Sequence, residues 1–445
     1  MQRGDGTRAA LACRRIAACT GATLAVAIAV PAIASAGTVW VSPSPATPGG
    51  TSCSSPGFNS IQEAIGVTPA NSKVHVCAGT YKEQVVIAKP DKVTADPGTT
   101  LQVPSSPSNS TTACDVAEEQ DLVTICGAGK VTISGLALDG SWTGPVNCAH
   151  QYSAVLVAGN SDLNMTGSTI LHAGAEPING CQAGVGILVG HARNSQVGNA
   201  QLKGDLIEGY QKTGIVIDGP GSVAKISGVT IKSKPTSEQS QNGIQVSRGA
   251  TAKISSTTIE GNECNSAACG PNTKGFGVEA WEEAEDATGI LFYEAAGGSS
   301  VKSSTIDGND IGIYNMLSGA GATTGIKGNT LKGNRYWGVA VDEGTAKVDN
   351  NAISGPGLAG VQLVQYATHE QFHVPPRGQE AGARGIGKSD TISGMTHCAV
   401  EGLSDNEPGD LAGSVTLAKS LAKLSGNAAQ VCNNNTNGKL TISVS

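Results

Sequence analysis

The sequence predicts an all-β chain wound as a single-stranded parallel β-solenoid, and three observations carry that prediction. The first is a repeat in which two apolar residues are separated by four variable positions. It recurs as Ile133/Leu138, Met165/Ile170, Leu202/Ile207, Ile226/Ile231, Ile254/Ile259, Val301/Ile306, Ile326/Leu331 and Val348/Ile353. Thr169, Thr230, Thr258, Thr305 and Thr330 precede the second member. Most steps are about two dozen residues, too short for a propeller blade or a two-helix unit and right for one turn of a parallel β-coil. The second is a further strand per coil whose alternation turns Ile187/Val189, Ile215/Ile217, Ile244/Val246, Ile290/Phe292, Val339/Val341 and Val361/Leu363 inward. The third is composition: of 445 residues 60 are Gly and only 3% are aromatic. Stacked Ile/Val columns build a core without aromatic bulk.

The elements follow in order. Residues 1–36 read as a signal peptide, with Arg8, Arg14 and Arg15 ahead of an apolar stretch from Ile16 to Val30 and a small-residue cleavage site at Ala34-Ser35-Ala36. The Arg14-Arg15 pair leaves Sec and twin-arginine export both open. No later apolar run approaches the roughly 20 residues of a spanning helix, so the mature chain is expected to be secreted and not membrane-spanning. The Pro/Ser/Gly-rich residues 37–52 read as a linker, and 53–128 as an N-terminal cap with the first coils and a loop insertion near 104–125. There Ser60 and Glu63 form a capping box before the i, i+4 pair Ile61/Ile65, predicting a short helix that covers the open end of the solenoid. Strands are expected at Lys73–Cys77 and Gln84–Ala88.

Regular coils are expected over 129–393, with insertions near 142–152, 172–184, 262–287 and 366–385. Insertions on a rigid scaffold are where function tends to sit. Asn262, Asn309 and Asn334 each follow Gly at one repeat position and are expected to bond one another between coils as turn structure. Asn315, the polar residue on an inward position, reads as a satisfied buried amide. Beyond 394 the repeat fades, and Leu417, Leu421 and Leu424 suggest a helix in a C-terminal cap over 394–445.

Of the 12 cysteines, Cys13 and Cys19 leave with the signal. The remaining even number suits an oxidising compartment. Because coils touch only their neighbours, sequential pairing is the simplest: Cys53–Cys77, Cys114–Cys126, Cys148–Cys181, Cys264–Cys269 and Cys398–Cys432. The net charge of −7 and the absence of a basic run give no reason to expect nucleic acid. A monomer is expected.

Ser60-Ile61-Gln62-Glu63-Ala64-Ile65, Val74-His75-Val76 and Gly79-Thr80-Tyr81-Lys82-Glu83-Gln84-Val85-Val86-Ile87 resemble the N-terminal segment of pectin methylesterases. With the coils that follow, residues 53–393 resemble the pectate-lyase-like superfamily, which implies a right-handed parallel β-helix. The catalytic motifs of the pectin methylesterases, polygalacturonases and mannuronan epimerases are absent, so no catalytic set carries over. Gly190-His191-Ala192-Arg193 only faintly resembles a polygalacturonase motif.

What chemistry remains lies just after the second aligned strand, where successive coils offer His191, Asp218, Arg248, Tyr293-Glu294 and Asp342-Glu343. Neighbouring coils are about 4.8 Å apart. A lyase needs a base such as Arg beside a cation, often Ca²⁺, that neutralises a uronate; a hydrolase needs two carboxylates about 5–9.5 Å apart. His191, Asp218, Arg248, Glu294 and Asp342 are therefore candidate catalytic residues, and Tyr293, Glu343, Trp281 and Glu279 candidate binding residues, the last two in an acidic loop over 279–286. The alternative is a solvated, charge-alternating face. His369 and His373 imitate part of a zinc motif, but Pro375-Pro376 disfavours a helix there. Two functions stay open: a secreted protein that binds polysaccharide or a protein partner without catalysis, and a polysaccharide lyase or glycoside hydrolase acting on an acidic polysaccharide.

Overall fold

In the computed structural model the described residues are 37–108, 114, 119–143, 148, 151–234, 239–265, 287–318, 322–342, 344–365, 382–386, 390–404, 413–417, 424, 426–434 and 440–444. They form a right-handed parallel β-helix of three sheets. The first has 14 strands, the second 11 and the third 12, each running the length of the coil. One coil shows the pattern: Val223–Ser227 in the first sheet, Thr230–Lys232 in the second and Asn242–Ser247 in the third. Each strand pairs in parallel with its counterpart in the coils before and after.

The repeat pair brackets the turn between the first two sheets. Its first members stack as Ile133, Met165, Leu202, Ile226 and Ile254, and its second members as Leu138, Ile170, Ile207, Ile231 and Ile259. All are buried in one continuous core with the inward pairs of the third sheet. The four-residue spacer holds a sharp turn whose bend takes a left-handed backbone, at Ser256 with φ 50° and Asn350 with φ 58°. Gly228 and Gly328 occupy the same place in other coils, where a glycine adopts that conformation without strain.

A column of Gly, from Gly186 to Gly360, stands second in seven successive third-sheet strands for a different reason. A Cβ on Gly243 would sit 2.5 Å from the Gly289 carbonyl oxygen and 2.5 Å from Ile259 Cγ2, and Gly289 meets Gly312 in the same way. The backbones of successive coils pass too closely there for any side chain.

Two side-chain ladders fix the turns. Asn262 donates through Nδ2 to Asn309 Oδ1 at 2.8 Å, and Asn309 donates to Asn334 Oδ1 at 3.1 Å, as the repeat position predicts. A second ladder lies in the turn between the first and second sheets. Asn329 donates to Asn351 at 2.9 Å and Asn351 to Asp390 at 2.9 Å. Asp205 holds the equivalent place in an earlier coil, accepting the Ser168 N–H at 2.8 Å. Asn315 accepts from Ser318 and Thr324 at 2.7 and 2.8 Å.

Four of the five expected disulfides are present: Cys53–Cys77, Cys114–Cys126, Cys148–Cys181 and Cys398–Cys432, with Cα separations of 5.7, 5.8, 4.9 and 5.9 Å. Cys264 is also bridged, and its expected partner Cys269 lies outside the described residues. So do the signal segment 1–36, Trp281, Glu279 and the rest of the acidic loop, Glu343, His369 and His373.

Three expectations change. Residues 37–52 are not wholly a linker, because Thr38–Val41 is a strand that pairs with Lys73–Val76 and buries Val39 and Val41. The alternation of these four residues outweighs the Pro-rich sequence after them. The helix is present at Ile61–Val67, and Ser60 accepts the Glu63 N–H as a cap should. The carboxylate brought to its first turn is Glu83, which accepts from Ser60 Oγ at 2.6 Å, Ile61 N at 2.8 Å and Gln62 N at 3.0 Å. Leu417, expected on a helix, ends the strand Gly413–Leu417, which pairs with Leu440–Val444. Val415 and Leu417 satisfy period two as well as a leucine spacing satisfies period 3.6, and a waiting sheet edge decides between them.

Candidate functional site

The third sheet carries the candidate site on its outer face. Register stacks the outward residues Leu156, Leu188, Val216, Gln245, Leu291 and Tyr314, then Ala340, Gln362 and Glu401. The face changes character along the coil. Leu156, Leu188 and Val216 are buried with Cys114 and Cys126, so the disulfide itself packs over that end. Ala340 is buried in a second outer cluster with Ile311, Trp337 and Ala359. Between the two, Gln245, Leu291 and Tyr314 remain half-exposed, with Tyr293, Glu294 and exposed Arg248 at the strand ends beside them.

The predicted column is two adjacent columns. Asp218, Ser247, Tyr293, Met316 and Asp342 share one register position. Arg248 and Glu294 come one residue later, both with left-handed backbone, and so lie beside that position. The structure joins Asp218 and Arg248: Nε donates to Oδ1 at 2.7 Å and Nη2 to Oδ2 at 2.8 Å. Asp218 is almost fully buried and also accepts from Ser247 Oγ at 3.0 Å and from the Ala192 N–H at 2.7 Å. With four donors its carboxylate is committed to structure. His191 starts the short loop that this last bond ties down, as the cap of the turn Ala192–Asn194. Asp342 is buried at the end of the next coil's strand and accepts from Tyr314 Oη at 3.0 Å.

The flanking residues were missed in the sequence. Asp310 is buried and accepts the N–H groups of Cys264 at 2.9 Å and Ala287 at 3.1 Å, the two stems of the insertion that contains the acidic loop. Arg335 Nε faces its other oxygen at 3.1 Å and Arg335 also donates to Asn265 Oδ1 at 3.0 Å. Burial pushes the Asp310 carboxyl up to about 6, against the backbone donors and Arg335. Farther along, Glu401 accepts from Gln362 at 3.1 Å and faces His397 at 3.7 Å. Tyr314 had an available signal: it stands between the inward positions Ile313 and Asn315, and alternation makes it outward.

Two clusters among the described residues have metal-ligand composition, Cys53/His75/Cys77/Asp96 and His397/Cys398/Cys432. In each, the two cysteines are bridged to one another and supply no thiolate.

Residues 153–374 match the family model described as a right handed beta helix region. No curated protein matches the sequence. Among solved structures, a double mutant of the periplasmic alginate epimerase AlgG is similar at a TM-score of 0.50 and 10% identity, over 87% of this chain and 83% of its own. The catalytic domain of a GH87 α-1,3-glucanase with nigerose has a TM-score of 0.45 at 13% identity, over 89% of this chain and 68% of its own. At such identities the likeness is one of fold.

Proposed function

As a right-handed parallel β-helix whose third sheet leaves one outward strip half-exposed, the chain is, we propose, a secreted protein that binds an extracellular polysaccharide along that strip. The observation that carries the reading is Tyr314. Its ring is half-exposed in the middle of the strip, and its hydroxyl is anchored on the buried Asp342 carboxylate at 3.0 Å. An aromatic side chain held at its polar end offers a fixed apolar surface to a sugar ring at little entropic cost. Gln245 and Glu294 add hydrogen-bonding groups beside it. The disulfides support a place outside the reducing cytosol, and no helix among the described residues is long and apolar enough to cross a membrane. A polysaccharide ligand also agrees with the like-folded epimerase, whose name puts it on alginate.

The reading is tested by affinity electrophoresis of the protein through gels containing a panel of cell-wall and extracellular polysaccharides. Retardation by at least one is expected. Tyr314→Ala should weaken it about tenfold, or ~1.4 kcal/mol. A panel without any retardation ends the proposal.

A second reading, a lyase or hydrolase on a pectin-like or other acidic polysaccharide, is favoured by the same Tyr314–Asp342 contact, since a phenol joined to a buried carboxylate is an acid–base pair. Ca²⁺ belongs to this reading as the ion that would neutralise a uronate. New reducing ends or products absorbing in the ultraviolet would establish it over simple binding.

A further inference from the structure

The first sheet presents one lysine per coil through six successive coils. Its strands Gly198–Lys203, Val223–Ser227, Thr251–Ser255, Ser300–Lys302, Thr323–Lys327 and Thr345–Asp349 place Lys203, Lys225, Lys253, Lys302, Lys327 and Lys347 on the outward face. All six are exposed. Lys225 stands directly beside Lys253, and Lys302 directly beside Lys327. The only acidic residue in these strands is Asp349, which pairs with Lys327 at 3.2 Å. Lys253 also donates to the Gly298 carbonyl. The remaining outward residues are mostly Ser, Thr, Asn and Gln.

The second sheet shows the alternative. There Glu208, Lys232, Glu260, Asp307 and Lys332 occupy one register column. Signs mix, and the column neutralises itself through Lys232–Glu260 at 3.6 Å and Lys332–Asp307 at 3.0 Å. Like charges set directly opposite across neighbouring strands are destabilising. A chain with net charge −7 nonetheless concentrates them on one face.

We propose that this first-sheet face binds a linear polyuronate, laid along the coil axis and distinct from the third-sheet strip. The six lysines span roughly 24 Å, five coil steps of about 4.8 Å. An extended pyranose chain advances by about one coil per sugar and turns its carboxylates to different sides, so those that face the sheet meet lysines in two adjacent register columns, Lys225, Lys253 and Lys347 in one and Lys203, Lys302 and Lys327 in the other. Lysine supplies point charges for such a comb, while the hydroxyl and amide neighbours bond sugar hydroxyls. Single-stranded nucleic acid is disfavoured because these strands carry neither aromatic residues nor Arg on which bases stack.

The test titrates the full protein with a fluorescent oligogalacturonate, with a neutral cello-oligosaccharide and a single-stranded oligonucleotide of equal charge as competitors. Expected are binding that weakens as NaCl is raised, no competition by the neutral sugar and weaker competition by the oligonucleotide. The fourfold variant Lys225→Gln, Lys253→Gln, Lys302→Gln, Lys327→Gln should lose at least about tenfold in affinity with a shallower salt dependence. Its melting temperature should be unchanged or higher, which shows that it folds. The control variant Lys232→Gln, Lys332→Gln, which removes two exposed lysines from the second sheet, should bind the oligogalacturonate normally, so that loss of positive charge in general is told apart from loss of this face. Unchanged affinity in the fourfold variant, or an oligonucleotide that competes as well as the uronate, overturns the proposal.

Discussion

Arg248 closes on Asp218 through two parallel hydrogen bonds, at 2.7 and 2.8 Å, from the neighbouring coil. Asp218 is almost fully buried, while the Arg248 side chain is 49% exposed. One buried carboxylate thus gathers three coils: its own, that of Ser247 and Arg248, and that of Ala192.

Removing Arg248 leaves that buried charge without its cation. Arg248→Ala should cost roughly 2–3 kcal/mol, below the full cost of breaking a buried pair because the arginine is half in water. Adding Asp218→Asn should recover part of the loss. Thermal unfolding of the single and double variants measures both; additive losses would show that the pair is not coupled.

Asp205 makes the stability depend on pH. Burial raises its carboxyl from 3.8 to about 6, opposed by the Ser168 and Lys203 N–H donors. The folded state then holds a proton that the unfolded state has released, so stability falls as pH rises from about 4 to about 6. The amplitude is of order 3 kcal/mol, at 1.36 kcal/mol per unit. Asn329 and Asn351 hold the same place in later coils, and Asp205→Asn keeps one oxygen for the Ser168 N–H, gives up the bond from the Lys203 N–H and carries no charge. Denaturant unfolding should find this variant more stable than the parent at pH 7 and flatter between pH 4 and pH 6.

Gly243 tests the close passage of backbones. A Cβ there would lie 2.5 Å from both the Gly289 oxygen and Ile259 Cγ2. Gly243→Ala should destabilise by about 1–3 kcal/mol, as overpacking does. The same change at exposed Gly204, which has nothing within 4 Å, tests backbone strain alone. Equal losses at the two sites would discount the collision.

Asn309 is the middle rung of its ladder and fully buried. Its Oδ1 accepts the Asn262 N–H at 3.1 Å as well as Asn262 Nδ2. Asn309→Ala leaves these donors buried and unmade, a cost of about 2–3 kcal/mol. Hydrogen exchange should show the Asn262 amide protected less than its neighbours two coils away.

The repeat made the fold legible because a solenoid turns sequence period directly into contact. Ile226 and Ile254, 28 positions apart, become neighbours by that rule alone. The site was less legible. The sequence puts the residues following each strand on one line, but Asp218 and Arg248 occupy successive register positions and differ in burial. Tyr314 lies within an aligned strand, and only its alternation with the inward Ile313 and Asn315 marks it as outward. Asp310 and Arg335 gave no motif at all, since their partners Cys264 and Ala287 frame an insertion.

By itself the sequence determined the coil: the apolar pairs, the Gly column, the Asn ladder and the order of four bridged cysteine pairs. Each depends on a local pattern repeated at nearly constant period. The tertiary structure decided which outward residues are covered, that Glu83 and not only Ser60 caps the helix, and that lysines about two dozen residues or more apart share one face. Those outcomes depend on register between coils and on what lies over each face. Insertions of unequal length set both, and a linear pattern does not encode them.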